Sequence, residues 1–330
     1  MKERNKKILT AILLTGVMFT GILTAKATDL IIESKTQTYN EDEKKIRFEG
    51  DVDVNIDDLR VISDTADVSV INGEKLDTAT FYDKPYAYQH KANKKREVKA
   101  NIIKVSLIKK TVKAEGDTQT IIFDGKTPIA VINADEQEYN SKTEVMTAHG
   151  NVTIDYKNTK AFSDSAEFVT DKDGNIKDIK LTGNALVKDE ENEVTADKIT
   201  YNAGTHMFVA TGRTHTKTIN NEGNVLNLYS DRQELNQLTN FYNATGNCNV
   251  YYEDYFAHGP KIVIYPDKNT NKPNEIYFVG RSSITQGPRT IFADKIMITT
   301  TPKNFKAEGN TRTVIKNVGS GSDGEMGLGL

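Results

Sequence analysis

Phe48-Glu49-Gly50-Asp51-Val52-Asp53-Val54-Asn55-Ile56 alternates apolar or small residues at even positions with polar or charged ones at odd positions, around a glycine. Strict alternation over such a stretch is the signature of a β-strand with one buried and one solvated face. The same phase returns in Val112, Ala114, Gly116, Thr118, Thr120 and Ile122, and in Ala148, Gly150, Val152, Ile154 and Tyr156. Working outward, the central glycine recurs at Gly50, Gly116, Gly150, Gly183, Gly212, Gly246, Gly280 and Gly309, with Ala87 in the one slot that lacks it.

A second landmark alternates with the first. It is a small residue, usually followed by Asp: Ser34, Ser63, Ala100, Ala134, Ser163, Ala196, Ser230, Gly259 and Ala293. From glycine slot to small residue the count is 13 in six cases and 18 in two; from small residue to glycine slot it is 16 in six cases and 20 to 24 in three. The exceptions recur at every third unit. Nine units of about 32 residues therefore fall into three super-repeats, about 31–127, 128–224 and 225–316.

After each small residue the apolar phase slips by one. Ala66 and Val68 follow Ser63, Ile103 and Val105 follow Ala100, Ile199 and Tyr201 follow Ala196, and Ile296 and Ile298 follow Ala293. A slip would turn the apolar set outward unless the strand carries a bulge or corner. The pattern predicts a bulge at each small-Asp landmark, its Asp bonding local backbone N–H groups. Turn pairs Asn72-Gly73, Asp124-Gly125, Asp173-Gly174, Glu222-Gly223 and Gly287-Pro288 separate the runs, and no helical periodicity follows residue 27. The expectation is an all-β chain of about 18 short strands in folded-over or facing antiparallel sheets. Nine strands per sheet at roughly 4.8 Å give a stack about 43 Å long.

Residues 1–27 differ in kind. Lys2, Arg4, Lys6 and Lys7 precede the apolar stretch 8–24 and the small-x-small pattern Ala25-Lys26-Ala27, which reads as a cleaved export signal, with an uncleaved membrane anchor as the alternative. Without it the chain carries a net charge of −7, the wrong sign for a polyanion binder, so nucleic acid is not an expected partner. Cys248 is the only cysteine and lies on the apolar phase, so it reads as a core residue and no disulfide is expected. The five histidines form no metal-binding spacing and no Walker loop or nucleophile elbow occurs, so no cofactor, metal or enzymatic activity is expected. Gly319-Ser320-Gly321-Ser322-Asp323-Gly324 matches a dinucleotide fingerprint only by letter, six residues from the end of a Gly-rich tail, 317–330.

The repeated segments Ala134-Asp135 through Tyr139-Asn140, then Thr147-Ala148-His149-Gly150-Asn151-Val152-Thr153-Ile154, resemble those of the LptA/OstA family, the periplasmic lipopolysaccharide transport proteins. Further copies are Ala196-Asp197 through Tyr201-Asn202, Ala244-Thr245-Gly246-Asn247, and Ala293-Asp294-Lys295-Ile296 with Ala307-Glu308-Gly309-Asn310. The resemblance covers residues 31 to about 316. It implies an elongated, V-shaped β-jellyroll whose inner groove shields lipid acyl chains, with open edges that pair with neighbouring jellyrolls. The implied partners are lipopolysaccharide or lipid A, an inner-membrane adaptor, an outer-membrane assembly protein, and further copies of the chain head to tail. The body is longer than is usual in the family, which leaves bridge and anchored adaptor both open. A structural β-solenoid or surface protein with an ordinary core is the reading from another class.

Candidate groove residues are those on the apolar phase. In the first half they are Val52, Val54, Val61, Val68, Val112, Ile122, Val152, Ile154 and Phe168. In the second half they are Ile199, Phe208, Leu228, Val250, Ile262, Phe278, Ile284, Ile296 and Phe305.

Overall fold

The computed structural model describes residues 30–56, 59–71, 75–91, 94–171, 176–219, 223–270, 273–300 and 302–316. The expected export signal, the Gly-rich tail, and the turns Asn72-Gly73 and Asp173-Gly174 lie outside these residues. The described chain is all β, as expected, and divides into two compact units at Gly183/Asn184.

The N-terminal unit contains β1 (Leu30–Glu33), β2 (Thr36–Asn40), β3 (Lys45–Ile56), β4 (Leu59–Ile71), β5 (Lys75–Tyr82), β6 (Tyr86–Lys91), β7 (Lys94–Lys99), β8 (Ile102–Ser106), β9 (Thr111–Asp124), β10 (Thr127–Asn140), β11 (Val145–Tyr156) and β12 (Thr159–Thr170). The boundary falls in β13 (Ile176–Lys188). The C-terminal unit contains β14 (Asn192–Asn202), β15 (Met207–Ile219), β16 (Val225–Asn236), β17 (Phe241–Tyr252), β18 (Tyr255–Pro266), β19 (Pro273–Gln286), β20 (Arg289–Thr300), β21 (Lys303–Glu308) and β22 (Arg312–Ile315). The count is 22 rather than about 18 because four strands are interrupted at a landmark, giving β1/β2, β5/β6, β7/β8 and β21/β22. The unbroken strands are long, 11 to 14 residues in β9 through β20, because each runs through its landmark instead of ending there. Sequence neighbours pair antiparallel, as hairpin connections require.

The phase slip is observed: Ser63, Ala66 and Val68 are all buried. The extra residue, however, lies on the glycine strand. Glu49 faces Thr65 and Val52 faces Ser63, so Gly50 and Asp51 together oppose Asp64 alone. Both bulge residues have positive φ, 81° at Gly50 and 49° at Asp51. Gly116/Asp117, Gly150/Asn151, Gly212/Arg213, Gly246/Asn247 and Gly309/Asn310 repeat this pair of left-handed residues. Asp and Asn tolerate that conformation better than other side chains, which explains their place after the glycine.

This geometry also corrects the slot assigned to Ala87. Tyr82 faces Thr65 and Tyr86 faces Ile62, so Asp83 and Lys84, at φ 64° and 59°, occupy the bulge. Ala87 is an ordinary buried strand residue.

For Asp135, Asp197 and Asp294 the partner is not the local backbone but the next glycine strand. Asn151 Nδ2 donates to Asp135 at 3.0 Å, Asn310 Nδ2 to Asp294 at 2.7 Å, and the Arg213 guanidinium to Asp197 at 2.5 Å. In the first unit the charges are exchanged, with Lys35 2.7 Å from Asp51. Serine landmarks satisfy the corner from the other side. Ser34, Ser63, Ser163 and Ser230 each donate Oγ to the carbonyl two residues on, at 3.0, 2.9, 3.0 and 3.3 Å.

The Asn that closes the Tyr39-Asn40, Tyr139-Asn140 and Leu235-Asn236 segments makes the following turn. Asn140 Oδ1 accepts the N–H of Lys142 and Thr143 at 2.9 and 3.2 Å, and Asn40 and Asn236 accept equivalent pairs.

Inside, most interior-facing side chains are aliphatic, but each of the two longer hairpins brings in a satisfied polar clamp. Gln137 donates Nε2 to Thr118 Oγ1 at 2.9 Å and accepts from Thr120 Oγ1 at 2.7 Å; Gln233 accepts from Thr216 and donates to the Leu228 carbonyl at 3.4 Å. The clamps lie in the two hairpins that hold the 18-residue intervals after Gly116 and Gly212.

Candidate functional site: an apolar trough in the C-terminal unit

Register places one interior residue of each strand beside the next. In the C-terminal unit one such row runs Tyr201, Phe208, Leu235, Tyr242, Ile264, Ile276, Ile298 and Phe305, across β14 to β21. Its first two members are closed off from solvent, at 2% and 3% exposure. From Leu235 onward every member is half-buried. The six open residues span five strand spacings, about 24 Å.

A second, deeper row lies beside it: Ala244, Ile262, Phe278, Ile296 and Ala307. Ala244, Ile262, Phe278 and Ile296 are buried, and Ala307 is half-buried and packs on the same cluster. Neither row contains a charged residue. Together they form a candidate apolar trough, one row packed in the core and the other half-buried beside it.

The equivalent row of the N-terminal unit is closed over most of its length. It runs Tyr39, Ile46, Val68, Ala79, Val105, Val112, Tyr139, Met146 and Phe168. Only Tyr39, Ile46 and Val112 are more than slightly exposed; Val68, Ala79, Val105 and Phe168 are at 2% or less. Phe48, Val52, Val54, Val61 and Phe81 fill the adjoining core.

All 18 groove candidates face the interior. Val112, Val250 and Phe305 are half-buried and the other fifteen are buried. The structure brings Ile262, Phe278, Ile296 and Phe305 together in the trough, with Leu228, Val250 and Ile284 toward the opposite strand ends of the same cluster. Ile199 and Phe208 stand at its closed end. Val52, Val54, Val61, Val68, Val112, Ile122, Val152, Ile154 and Phe168 belong to the N-terminal unit. The candidates omit Leu235, Tyr242, Ile264, Ile276 and Ile298, which make most of the rim. The signal for them was present: each has the inward parity of its strand and is apolar or aromatic.

Burial governs the titratable groups of the trough. It pushes the phenols of Tyr201 and Tyr242 above their ordinary range and the Cys248 thiol up to about 11, so all three stay protonated at neutral pH. Cys248 is 0% exposed, as a core thiol should be. Charged groups are kept on the outer face, where Arg232 pairs with Glu234 at 2.6 Å and Lys295 lies 4.9 Å from the Tyr277 ring.

No cluster of His, Cys, Asp or Glu able to hold a metal ion occurs among the described residues. Comparison with known proteins adds the following. The family model described as LptA/(LptD N-terminal domain) LPS transport protein matches residues 31–125. No curated protein matches the chain. Among solved structures, LptH of Pseudomonas aeruginosa, described as the LptA-homologous periplasmic component of a lipopolysaccharide transport device, is 12% identical. The match covers 37% of this chain and 82% of that one, with a TM-score of 0.33. Residues 31–125 of the chain are thus similar to the LptA/(LptD N-terminal domain) family.

Proposed function

We propose that this protein is an exported, periplasmic component of a lipopolysaccharide transport system, and that it carries acyl chains in the trough of its C-terminal unit. The observation that carries this reading is the uncharged row Leu235, Tyr242, Ile264, Ile276, Ile298 and Phe305, half-exposed where the matching N-terminal row is closed. The family match supplies the substrate class. Exposing an acyl chain to water costs about 0.8 kcal/mol per CH₂, or on the order of 10 kcal/mol for twelve carbons. A trough about 24 Å long removes most of that barrier. The role is binding and passage, with energy supplied by a partner.

Bridging to other jellyrolls fits the strand edges. β2 is exposed along its whole length and pairs with β3; β21 and β22 pair with β20. Ile31 and Tyr39 at the first edge and Ile315 at the last are more than half exposed. Exposed edge strands add further strands through their free backbone groups. The residues near the first edge, Glu33, Glu41, Asp42 and Glu43 with Lys35, Lys44 and Lys45, are net negative and those near the last, Lys306, Arg312 and Lys316 with Glu308, are net positive, which suits head-to-tail pairing.

The test is titration of the purified full chain with fluorescent lipopolysaccharide. Saturable binding that Ile298→Asp weakens at least tenfold, with the circular dichroism of the folded chain retained, supports the reading. Binding that is absent, or that the substitution leaves unchanged, contradicts it and favours a structural solenoid.

A further inference from the structure

Among the nine repeat units, a glutamine stands three residues after the small landmark only at Gln37, Gln137 and Gln233. Thr-x-Thr stands two residues after the landmark glycine only at Thr118 and Thr120, Thr214 and Thr216, and Thr311 and Thr313. Two of these sets are joined within the chain as polar clamps: Gln137 on β10 with Thr118 and Thr120 on β9, and Gln233 on β16 with Thr216 on β15. Thr118 and Thr214 also donate to the carbonyls of the small landmarks Ala134 and Ser230, each at 2.7 Å. The third set is divided between the two ends of the chain. Gln37 lies on β2, in the first repeat strand, and Thr311 and Thr313 lie beside and within β22, in the last. All three are exposed, and their side chains form no hydrogen bond with a described residue.

In both joined sets a Gly-x-Thr-x-Thr strand pairs with the small-x-x-Gln strand that comes next. After the last strand, the next small-x-x-Gln strand is the first strand of another copy. Resting on the edge pairing proposed above, we infer that Thr311 and Thr313 of one copy close a third clamp on Gln37 of the next, which fixes the register of the joint and makes it selective for a second copy of this chain. In the β15–β16 register Thr214 faces Ser230 and Ala210 faces Gln233. Carried to the joint, that register sets Thr311 opposite Ser34 and Ala307 opposite Gln37. It also sets Arg312 opposite Glu33, pairing opposite charges, and covers Ile31, Tyr39 and Ile315, each more than half exposed in the single chain. A shift by two residues keeps every side chain on its own face but leaves the glutamine and a threonine hydroxyl inside without partners. A partner strand without the matching half of the clamp meets the same penalty.

The experiment follows self-association of the full chain by sedimentation velocity over a range of concentrations. Gln37→Leu and Thr313→Val, each leaving the other half of the clamp unpartnered, should each weaken association about tenfold. The urea unfolding midpoint should stay unchanged, because both residues are exposed in the single chain. The double variant Gln37→Leu/Thr313→Val replaces both halves by apolar groups and should recover association to within about threefold of the native chain. Register is read by disulfide capture between singly substituted chains: Glu33→Cys should cross-link to Arg312→Cys on mild oxidation, ahead of Ile31→Cys to Arg312→Cys. Association that Gln37→Leu leaves unchanged, a double variant no stronger than the single ones, or cross-linking through position 31 ahead of 33 overturns the clamp and leaves edge pairing standing. A native chain that stays monomeric at every concentration overturns pairing between copies itself, whatever the lipid titration shows.

Discussion

Gly150→Ala tests the bulge that organises every repeat. Gly150 sits at φ +75°, and a Cβ placed there would lie 2.1 Å from Asp135 Oδ2 and 2.7 Å from its Cγ. Two costs follow. The left-handed backbone costs an alanine about 1–2 kcal/mol. The clash displaces Asp135, which breaks its hydrogen bonds from Asn151 Nδ2, at 3.0 and 3.3 Å, for about another 1–1.5 kcal/mol. The expected total is about 2–3.5 kcal/mol. Gly125 gives an internal control, because it has φ +60° in a hairpin turn with no atom within 4 Å of the added Cβ. Gly125→Ala should show the backbone term alone, about 1–2 kcal/mol. In an Asp135→Ala background the carboxylate clash and the hydrogen-bond loss are already absent and only the residue's Cβ, 2.9 Å away, remains, so the cost of Gly150→Ala should fall, giving a coupling of about 1 kcal/mol. The chain contains no tryptophan, so urea unfolding is best followed by far-ultraviolet circular dichroism. Equal losses for Gly150→Ala and Gly125→Ala, or a loss at Gly150 unchanged by Asp135→Ala, would refute the cross-strand Asp–Gly contact.

Further outcomes follow from other parts of the structure. Phe278→Ala, in the trough floor, should cost about 3–5 kcal/mol of stability in urea unfolding, whereas Phe305→Ala, half-exposed on the rim, should cost less than half as much. Because burial raises the Cys248 thiol from 9.0 to about 11, its protonated form contributes stability fully below about pH 9, lost as pH rises toward 11; Cys248→Ala should flatten that alkaline decline. The same thiol should resist a disulfide reagent at pH 8 in the folded chain and react once urea unfolds it. Gln233→Ala should cost about 1–3 kcal/mol, since the Leu228 carbonyl and the Thr216 hydroxyl lose a partner inside the sheet.

Strand positions were legible because alternation survives in every unit: the parity that marks Val52 and Val54 also marks Ile262 and Ile296. Which strand carries the extra residue was not, since glycine strand and small-Asp strand both show small residues at the corner. The residue after the glycine was the missing clue. Asp51, Asn151, Asn247 and Asn310 all take positive φ, and reading them as left-handed positions would have placed the bulge. The same reading finds Asp83, which fills the glycine slot by its conformational tolerance, whereas Ala87 matches glycine only in being small. With Asp83 in place, the landmark intervals Ser63 to Asp83, Ser163 to Gly183 and Gly259 to Gly280 become 20, 20 and 21, so the longer period is more regular than it first looked. The trough rim was hidden for another reason. Ile276 and Val68 share parity and chemistry, yet one is half-exposed and the other sealed, because exposure depends on what lies over the row and not on the strand's own pattern.

The most direct measurement of the central claim is photo-crosslinking from single benzoylphenylalanine substitutions in cells. Ile276 and Ile298 line the half-open row, Phe168 is 0% exposed in the closed one, and Asp53 faces outward. A lipid trough in the C-terminal unit predicts glycolipid captured at Ile276 and Ile298 and none at Asp53 or Phe168. Capture at Asp53 alone, or no capture at Ile276 and Ile298, would contradict it.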